Sequence, residues 1–252
     1  MDLQNKTIII TGASSGIGAA AALLFSDAKA NLVLGARRPA ELDAVASRIR
    51  ERDGAVVILS GDVIDDGYAD ALVELARTEF GGIDGAFNNA GSVGDMCPVS
   101  EMSLDNWSKV MATNLTSAFL AAKAQIPAMV ARGRGSIVFT SSFVGYSNGG
   151  MPGMAAYAAS KAGLIGLVKS LASEHAADGV RVNALLPGGT ITPSGGEGNA
   201  ATLDFVANLH PMKRMADAGE IAEAALFLLS DRSSFMTGSP MLVDGGMSVR
   251  LV

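Results

Sequence analysis

The amino-acid sequence predicts an α/β protein, a doubly wound parallel sheet of about seven strands flanked by helices on both faces. Three features carry this reading. Short apolar runs alternate with longer amphipathic segments almost to the C-terminal end. The runs are β-branched or leucine-rich on both parities, as strands covered from two sides should be. A glycine-rich turn follows the first run directly. At 252 residues, 49% hydrophobic and 17% charged, the chain is long enough to bury a core without covalent staples, and a single domain over 1–252 is expected.

In chain order the predicted elements are strand Thr7–Thr11, helix Ile17–Lys29, strand Asn31–Leu34, helix Glu41–Arg52, strand Ala55–Ser60, helix Asp66–Phe80 and strand Ile83–Asn88. They continue with helix Leu104–Ala131, strand Gly135–Thr140, helix Tyr157–Ala177, strand Val180–Leu186, helix Glu220–Leu229 and strand Pro240–Val243. Regular alternation of this kind demands right-handed crossovers and a parallel sheet. The exception is 188–218, a long connection rich in Gly, Pro, Thr and Met. Loops of this length inside a compact domain are usually functional lids or disordered segments. Its place after the sixth strand puts it at the carboxyl edge of the sheet, where open α/β folds bind ligands. It is expected to be a substrate-covering flap with a short helix over Thr202–Leu209.

The formal net charge of −6 gives no basic footprint for nucleic acid or an anionic membrane. Cys97 is the only cysteine, which excludes an internal disulfide and any multi-cysteine metal site, and its plain reading is a buried small apolar residue. His175 and His210 lack metal-ligand spacing; the first is expected to be solvated and the second to lie in the flap, where it could touch substrate but is not expected to be catalytic. No signal-like apolar N-terminal segment or stretch of about 18 apolar residues occurs, so a soluble cytoplasmic protein is expected.

Thr11-Gly12-Ala13-Ser14-Ser15-Gly16-Ile17-Gly18 sits where the first strand becomes the first helix. Such a turn lets backbone N–H groups approach a pyrophosphate, and the helix dipole favours the negative charge there. Glycines also simply make turns, and the spacing differs from the common G-x-G-x-x-G fingerprint. Further along stand Asn88-Asn89-Ala90-Gly91, Asn114, Ser142, Tyr157-Ala158-Ala159-Ser160-Lys161, Pro187-Gly188 and Asp244-Gly245-Gly246. This ordered set resembles the short-chain dehydrogenase/reductase family in its single-domain branch, over nearly the whole chain. The resemblance implies a Rossmann-type fold, a nicotinamide dinucleotide held by Gly12, Ser14, Ser15, Gly16, Ile17 and Gly18, and hydride exchange with a carbonyl/alcohol pair.

The second strand runs into Ala36-Arg37-Arg38. A carboxylate at this strand end would hydrogen-bond a ribose 2′-OH and repel a 2′-phosphate. Two guanidinium groups instead can grip phosphate, so NADP(H) is expected over NAD(H), although Arg37 and Arg38 could merely solvate a helix start. Ser15 stands where some NADP-using relatives carry a second basic residue. By resemblance Asp62 and Val63 receive the adenine, with Asp62 equally readable as a helix cap. Asn89, Ala90 and Gly91 border the cofactor ribose, and Asn88 is expected to brace neighbouring strands. Beyond Pro187 and Gly188, Thr190, Ile191 and Thr192 match the stretch that meets the carboxamide.

Tyr157 and Lys161 stand at i and i+4, on one face of a helix. A neighbouring ammonium should lower the phenol's pKa from its usual value near ~10 toward the working range. The resemblance makes Tyr157 the proton donor, Lys161 its partner and a ribose ligand, and Ser142 the hydrogen-bond partner of the substrate oxygen, with Ser141 as the alternative. The side chain of Asn114 is expected to help hold a water of a proton relay; a locally satisfied asparagine is the other reading. Ser142 and Tyr157 are fifteen residues apart, slightly more than the family's usual spacing, with the excess in Ser147-Asn148-Gly149-Gly150-Met151-Pro152. Met96, Met151, Met154 and Met212 fall where an apolar substrate lining belongs. Small residues Ala118, Ala121, Ala122, Ala162, Gly163 and Gly166 suggest close helix contacts between copies, and the family analogy implies a homotetramer. The expected activity is that of a carbonyl reductase or secondary-alcohol dehydrogenase. The alternatives are a 3-oxoacyl-thioester reductase, or a non-catalytic NADP-sensing or scaffold protein on the same fold.

Overall fold

The computed structural model describes residues 2–147, 150–193 and 200–249. Its strands are β1 (Thr7–Thr11), β2 (Asn31–Ala36), β3 (Val56–Ser60), β4 (Gly85–Asn88), β5 (Gly135–Thr140), β6 (Val180–Pro187), β7 (Thr190–Ile191), β8 (Ala216–Asp217) and β9 (Pro240–Val243). Seven of them form one sheet in the order β3-β2-β1-β4-β5-β6-β9, parallel throughout, as expected. The pair β7–β8 is a separate small ladder inside the long connection and was not foreseen; two-residue strands leave no periodicity to read.

Parity explains how one sheet serves two cores, because successive strand residues point to opposite faces. Ile8 and Ile10, Leu32 and Leu34, Val138 and Leu185 join one core with Phe25, Leu42 and Leu226. Ile9, Val33, Ile137 and Phe139 join the other with Leu72, Ile126 and Leu164. Helices α1 (Gly16–Asp27), α2 (Pro39–Arg50) and α8 (Ala218–Leu229) cover the first face; α3 (Tyr68–Phe80), α5 (Ser117–Val130) and α6 (Ala155–His175) cover the second. The Phe25 and Phe87 rings meet at 6.2 Å in a tilted pair within the first core.

Local chemistry sets the ends. Pro39 opens α2 two residues before the predicted start, since its fixed φ suits the first helical position. Gly81 closes α3 in the left-handed conformation, φ +78°. Asp217 and Glu220 form a reciprocal capping box at the start of α8.

The predicted helix Leu104–Ala131 is interrupted. It comprises α4 (Leu104–Met111), a π-helical turn over Ala112–Thr116, and α5. Such turns insert a residue into the helical ladder and recur at functional sites; this one carries Asn114. The short flap helix, α7, spans Ala200–Leu209. Residues 194–199 of the flap and Asn148 and Gly149 of the 147–152 insertion lie outside the described residues.

Two sequence expectations need correcting. Asn88 braces no strand: its amide pairs reciprocally with Gln125 of α5, at 2.9 and 3.0 Å, both side chains buried. And Ala118, Ala121 and Ala122 face the chain's own core, whereas Ala162, Gly163 and Gly166 look outward. Among the described residues no helix is long and apolar enough to cross a membrane.

Candidate active site

The strand order reverses between β1 and β4, so the loops that follow them part and leave a crevice at the carboxyl edge. The glycine turn lies there. Gly12 (φ +69°) and Gly16 (φ +55°) hold a conformation closed to most side chains. A Cβ on Gly12 would stand 3.0 Å from the Ala90 backbone, and one on Gly18 would run into the Gly12 carbonyl. Thr11 fastens the two loops: its hydroxyl accepts from the N–H groups of Asn89 (3.1 Å) and Ala90 (3.3 Å). Asn89 completes the tie by donating to the Thr11 carbonyl (3.4 Å) and accepting from Thr140 (3.3 Å). Strand bracing belongs to Asn89 rather than Asn88.

The basic pair divides its contacts. Arg38 lies across the glycine turn, donating to Ser14 Oγ (3.1 Å) and Ser15 Oγ (2.8 Å), with Glu41 3.4 Å from its other nitrogen. Arg37 is exposed and stands 3.6 Å from Asp62. Asp62 also accepts from the Ile64 N–H, a local turn contact, while the next helix is capped by Gly67 and not by Asp62. Val63 sits beside it, partly exposed.

On α6, Tyr157 and Lys161 share a face, the Lys161 Nζ 5.6 Å from the centre of the Tyr157 ring. Lys161 is buried (3% exposed), and its Nζ donates to the Thr140 carbonyl at 2.7 Å. Burial alone brings its pKa down to about 8. Burial also pushes the Tyr157 phenol up, against a lowering from its hydrogen bond with Ser142. This corrects the sequence expectation that the ammonium pulls the phenol down. In the chain by itself desolvation wins, and the ammonium's nearest oxygen contact is a main-chain carbonyl.

The two serines separate cleanly. Ser141 Oγ donates to the Lys161 carbonyl at 2.8 Å, tying β5 to α6, while Ser142 lies near enough to the Tyr157 phenol to lower its pKa. Ser142 also caps the short turn Phe143–Gly145 by accepting from the Val144 N–H at 3.3 Å. Asn114 is held through both ends of its amide. Its oxygen accepts from the Ser92 N–H (2.8 Å) and its amide donates to the Ser92 carbonyl (2.8 Å) and to Ser160 Oγ (3.0 Å). The side chain braces the crevice wall, as the locally satisfied reading has it. Ser160 in turn donates to the Tyr157 carbonyl at 2.8 Å, linking the π-helical turn to the Tyr157 helix. Sequence reading missed Thr11, Ser92, Thr140 and Ser160. Ser160, a lone hydroxyl among alanines one position before Lys161, gave a signal that could have been used.

The connection 188–218 begins over the same crevice. Gly188 is pinned by the Val243 carbonyl (3.0 Å), and Thr190 Oγ donates back to the Gly188 carbonyl (3.1 Å). Pro187 ends β6, Ile191 is exposed, and Thr192 closes on the glycine turn, where a Cβ on Gly16 would stand 3.1 Å from it. Gly91 packs between Asn114 and the Lys161 ammonium. Ile17, in the first turn of α1, packs against the first core. Met96 and Met154 line the turn around Gly150 and Gly153, with Met151 bonded to the Met154 sulfur through its N–H (3.4 Å); Met212 stands exposed on the flap. His175 pairs with Asp178 on the surface at 3.0 Å, and His210 is buried within the flap.

Comparison with known proteins agrees with this geometry. A family model described as enoyl-(acyl carrier protein) reductase matches residues 12–248. The chain is 38% identical to a 2,5-dichloro-2,5-cyclohexadiene-1,4-diol dehydrogenase of Sphingobium indicum, covering 98% of each protein. It is 36% identical to a cyclohexanol dehydrogenase of an Acinetobacter species, covering 96% of this chain and 94% of that one. The crystal structure of a levodione reductase superimposes with a TM-score of 0.94 at 32% identity, over 99% of this chain and all of that one. With the glycine turn, the Ser142–Tyr157–Lys161 group and the sheet order already in place, the conclusion is direct: the chain belongs to the short-chain dehydrogenase/reductase family.

Proposed function

We propose that this chain is an NADP(H)-dependent oxidoreductase that interconverts a ketone and a secondary alcohol, acting on small, largely apolar ring compounds. The observation that carries the proposal is the convergence of Ser142, Tyr157 and Lys161 at the crevice between the β1 and β4 loops. The residues there fit a nicotinamide dinucleotide. A Cβ would fill the glycine turn at Gly12 or Gly18, and Arg38 with two serine hydroxyls offers donors to a phosphate beside it. Bound there, the nicotinamide ring supplies the hydride a ketone accepts, or takes up the hydride a secondary alcohol gives.

The chain's own residues do the rest. Ser142 Oγ and Tyr157 Oη, close enough for the serine to lower the phenol's pKa, present two hydroxyls to one substrate oxygen, stabilising negative charge as it develops. Burial keeps the phenol protonated near neutrality, so Tyr157 is loaded to give its proton to that oxygen. Lys161, anchored by Thr140, holds a cation beside the phenol that favours the phenolate left behind. Ser92, Asn114 and Ser160 fix the Tyr157 helix against the crevice wall. Met96, Met151 and Met154 supply an apolar surface without fixed charge, which suits a neutral ring. The reading includes one domain over 1–252, a substrate flap at 188–218, and assembly as a homotetramer through the outward small residues Ala162, Gly163 and Gly166.

The test is a panel of cyclic ketones, open-chain ketones and 3-oxoacyl thioesters, followed by nicotinamide absorbance with NADPH and NADH in parallel. Turnover of cyclic ketones with NADPH favoured at least about tenfold is expected from the charge-assisted contacts at Arg38. Preference for NADH would end the NADP assignment. Turnover confined to thioesters would move the chain to the alternative reading, a 3-oxoacyl-thioester reductase.

A further inference from the structure

His210 follows α7, at the root of the flap, and is 2% exposed. Its ring is bonded on both sides. The Gly189 N–H points at Nε2 at 3.0 Å, and Nδ1 lies 2.9 Å from the Val206 carbonyl. An amide N–H can only donate and a carbonyl can only accept, so Nε2 is the acceptor and Nδ1 carries the hydrogen. The two contacts close exposed ends of two elements. Val206 is in the last turn of α7, where carbonyls lack intrahelical partners, and the His210 main-chain N–H closes on Ala207 instead (3.1 Å). Gly189 lies between β6 and β7, and its carbonyl accepts from the Ala216 N–H at 2.9 Å, so both of its backbone groups are held by the far arm of the flap.

Packing adds to this. A Cβ on Gly189 would stand 2.7 Å from the His210 ring and 2.8 Å from Val206, so only glycine admits the ring at this distance. On its other side the ring meets Gly245, where a Cβ would come within 3.1 Å, and Pro211 packs on Gly246. One imidazole therefore joins three backbone segments: the turn after β6, the flap helix, and the loop after β9.

We propose that His210 is a latch that fixes the flap helix to the Gly188–Thr190 turn and so sets the flap's position over the substrate. It is a positioning residue: it acts through Gly189 and α7 and touches neither substrate nor cofactor. The inference rests on the reading of 188–218 as the cover of a redox site.

His210→Phe keeps a ring of similar size and removes both hydrogen bonds; His210→Gln keeps one acceptor and one donor. Each is compared with wild type for ketone KM and kcat, for thermal melting, and for trypsin cleavage after Lys213 and Arg214. His210→Phe is expected to raise KM about tenfold, as befits two buried groups losing their partner, with kcat within about threefold. Cleavage should quicken by a similar factor because the flap root opens more often. His210→Gln should recover most of both effects. Wild-type KM and cleavage in His210→Phe would overturn the latch. So would equal losses in both variants, or loss of cooperative melting in both, each of which makes His210 an ordinary core residue. The cleavage rate needs no turnover, so it tests the latch even if wild type reduces no ketone, an outcome that would instead sink the redox reading.

Discussion

Replacing Tyr157 by Phe is expected to cut kcat about a thousandfold while leaving NADPH dissociation within about threefold, the loss typical of a missing proton donor. The substitution removes one oxygen and little else. The ring stays in α6, and the Lys161 Nζ keeps its bond to the Thr140 carbonyl, which does not involve the phenol. What disappears is the hydroxyl that lies beside Ser142 and that burial keeps protonated. Stopped-flow absorbance for turnover and nicotinamide fluorescence for binding separate the two quantities. A variant turning over within tenfold of wild type would mean that the proton comes from elsewhere.

The second large effect concerns Arg38. Its guanidinium donates to both Ser14 and Ser15 and has Glu41 close by, so it is already oriented across the glycine turn before any phosphate arrives. Arg38→Ala should lower kcat/KM for NADPH by about thirtyfold, the scale of one or two charge-assisted hydrogen bonds, while kcat/KM for NADH changes by less than about threefold. Glu41→Gln should act the other way on NADPH alone, because it removes a carboxylate 3.4 Å from the guanidinium. Steady-state kinetics with both cofactors reads both variants. Equal losses with NADPH and NADH on replacing Arg38 would show a structural support of the turn and no phosphate selectivity.

The sheet and most of the site were legible in the sequence because their signals are local. Ile8, Ile9 and Ile10 announce a strand buried on two faces, and the bounds of β1, β5 and β9 fall where they were read. Glycines that must take positive φ or admit a close backbone stand at fixed offsets around Gly12 and Gly18, and Tyr157 and Lys161 declare their shared face by spacing alone. Less legible were contacts that join distant parts of the chain. Nothing near Asn88 in sequence points to Gln125, thirty-seven residues on, nor near Gly189 to His210. The π-helical turn at Ala112–Thr116 adds a single residue to a long helical pattern, too small a slip for periodicity to register. The direction of the Tyr157 shift was misread for a related reason: the ammonium is visible in the sequence, whereas the desolvation that outweighs it exists only after folding.

The most direct measurement uses NADPH carrying deuterium at both C4 positions of the nicotinamide, incubated with the wild-type protein and the best cyclic ketone of the panel, with the alcohol product analysed by mass spectrometry and NMR. One deuterium per product molecule, at the carbinol carbon and of one configuration, is expected. Alcohol without deuterium, or no alcohol from any ketone while the cofactor binds normally, would contradict hydride transfer at this site.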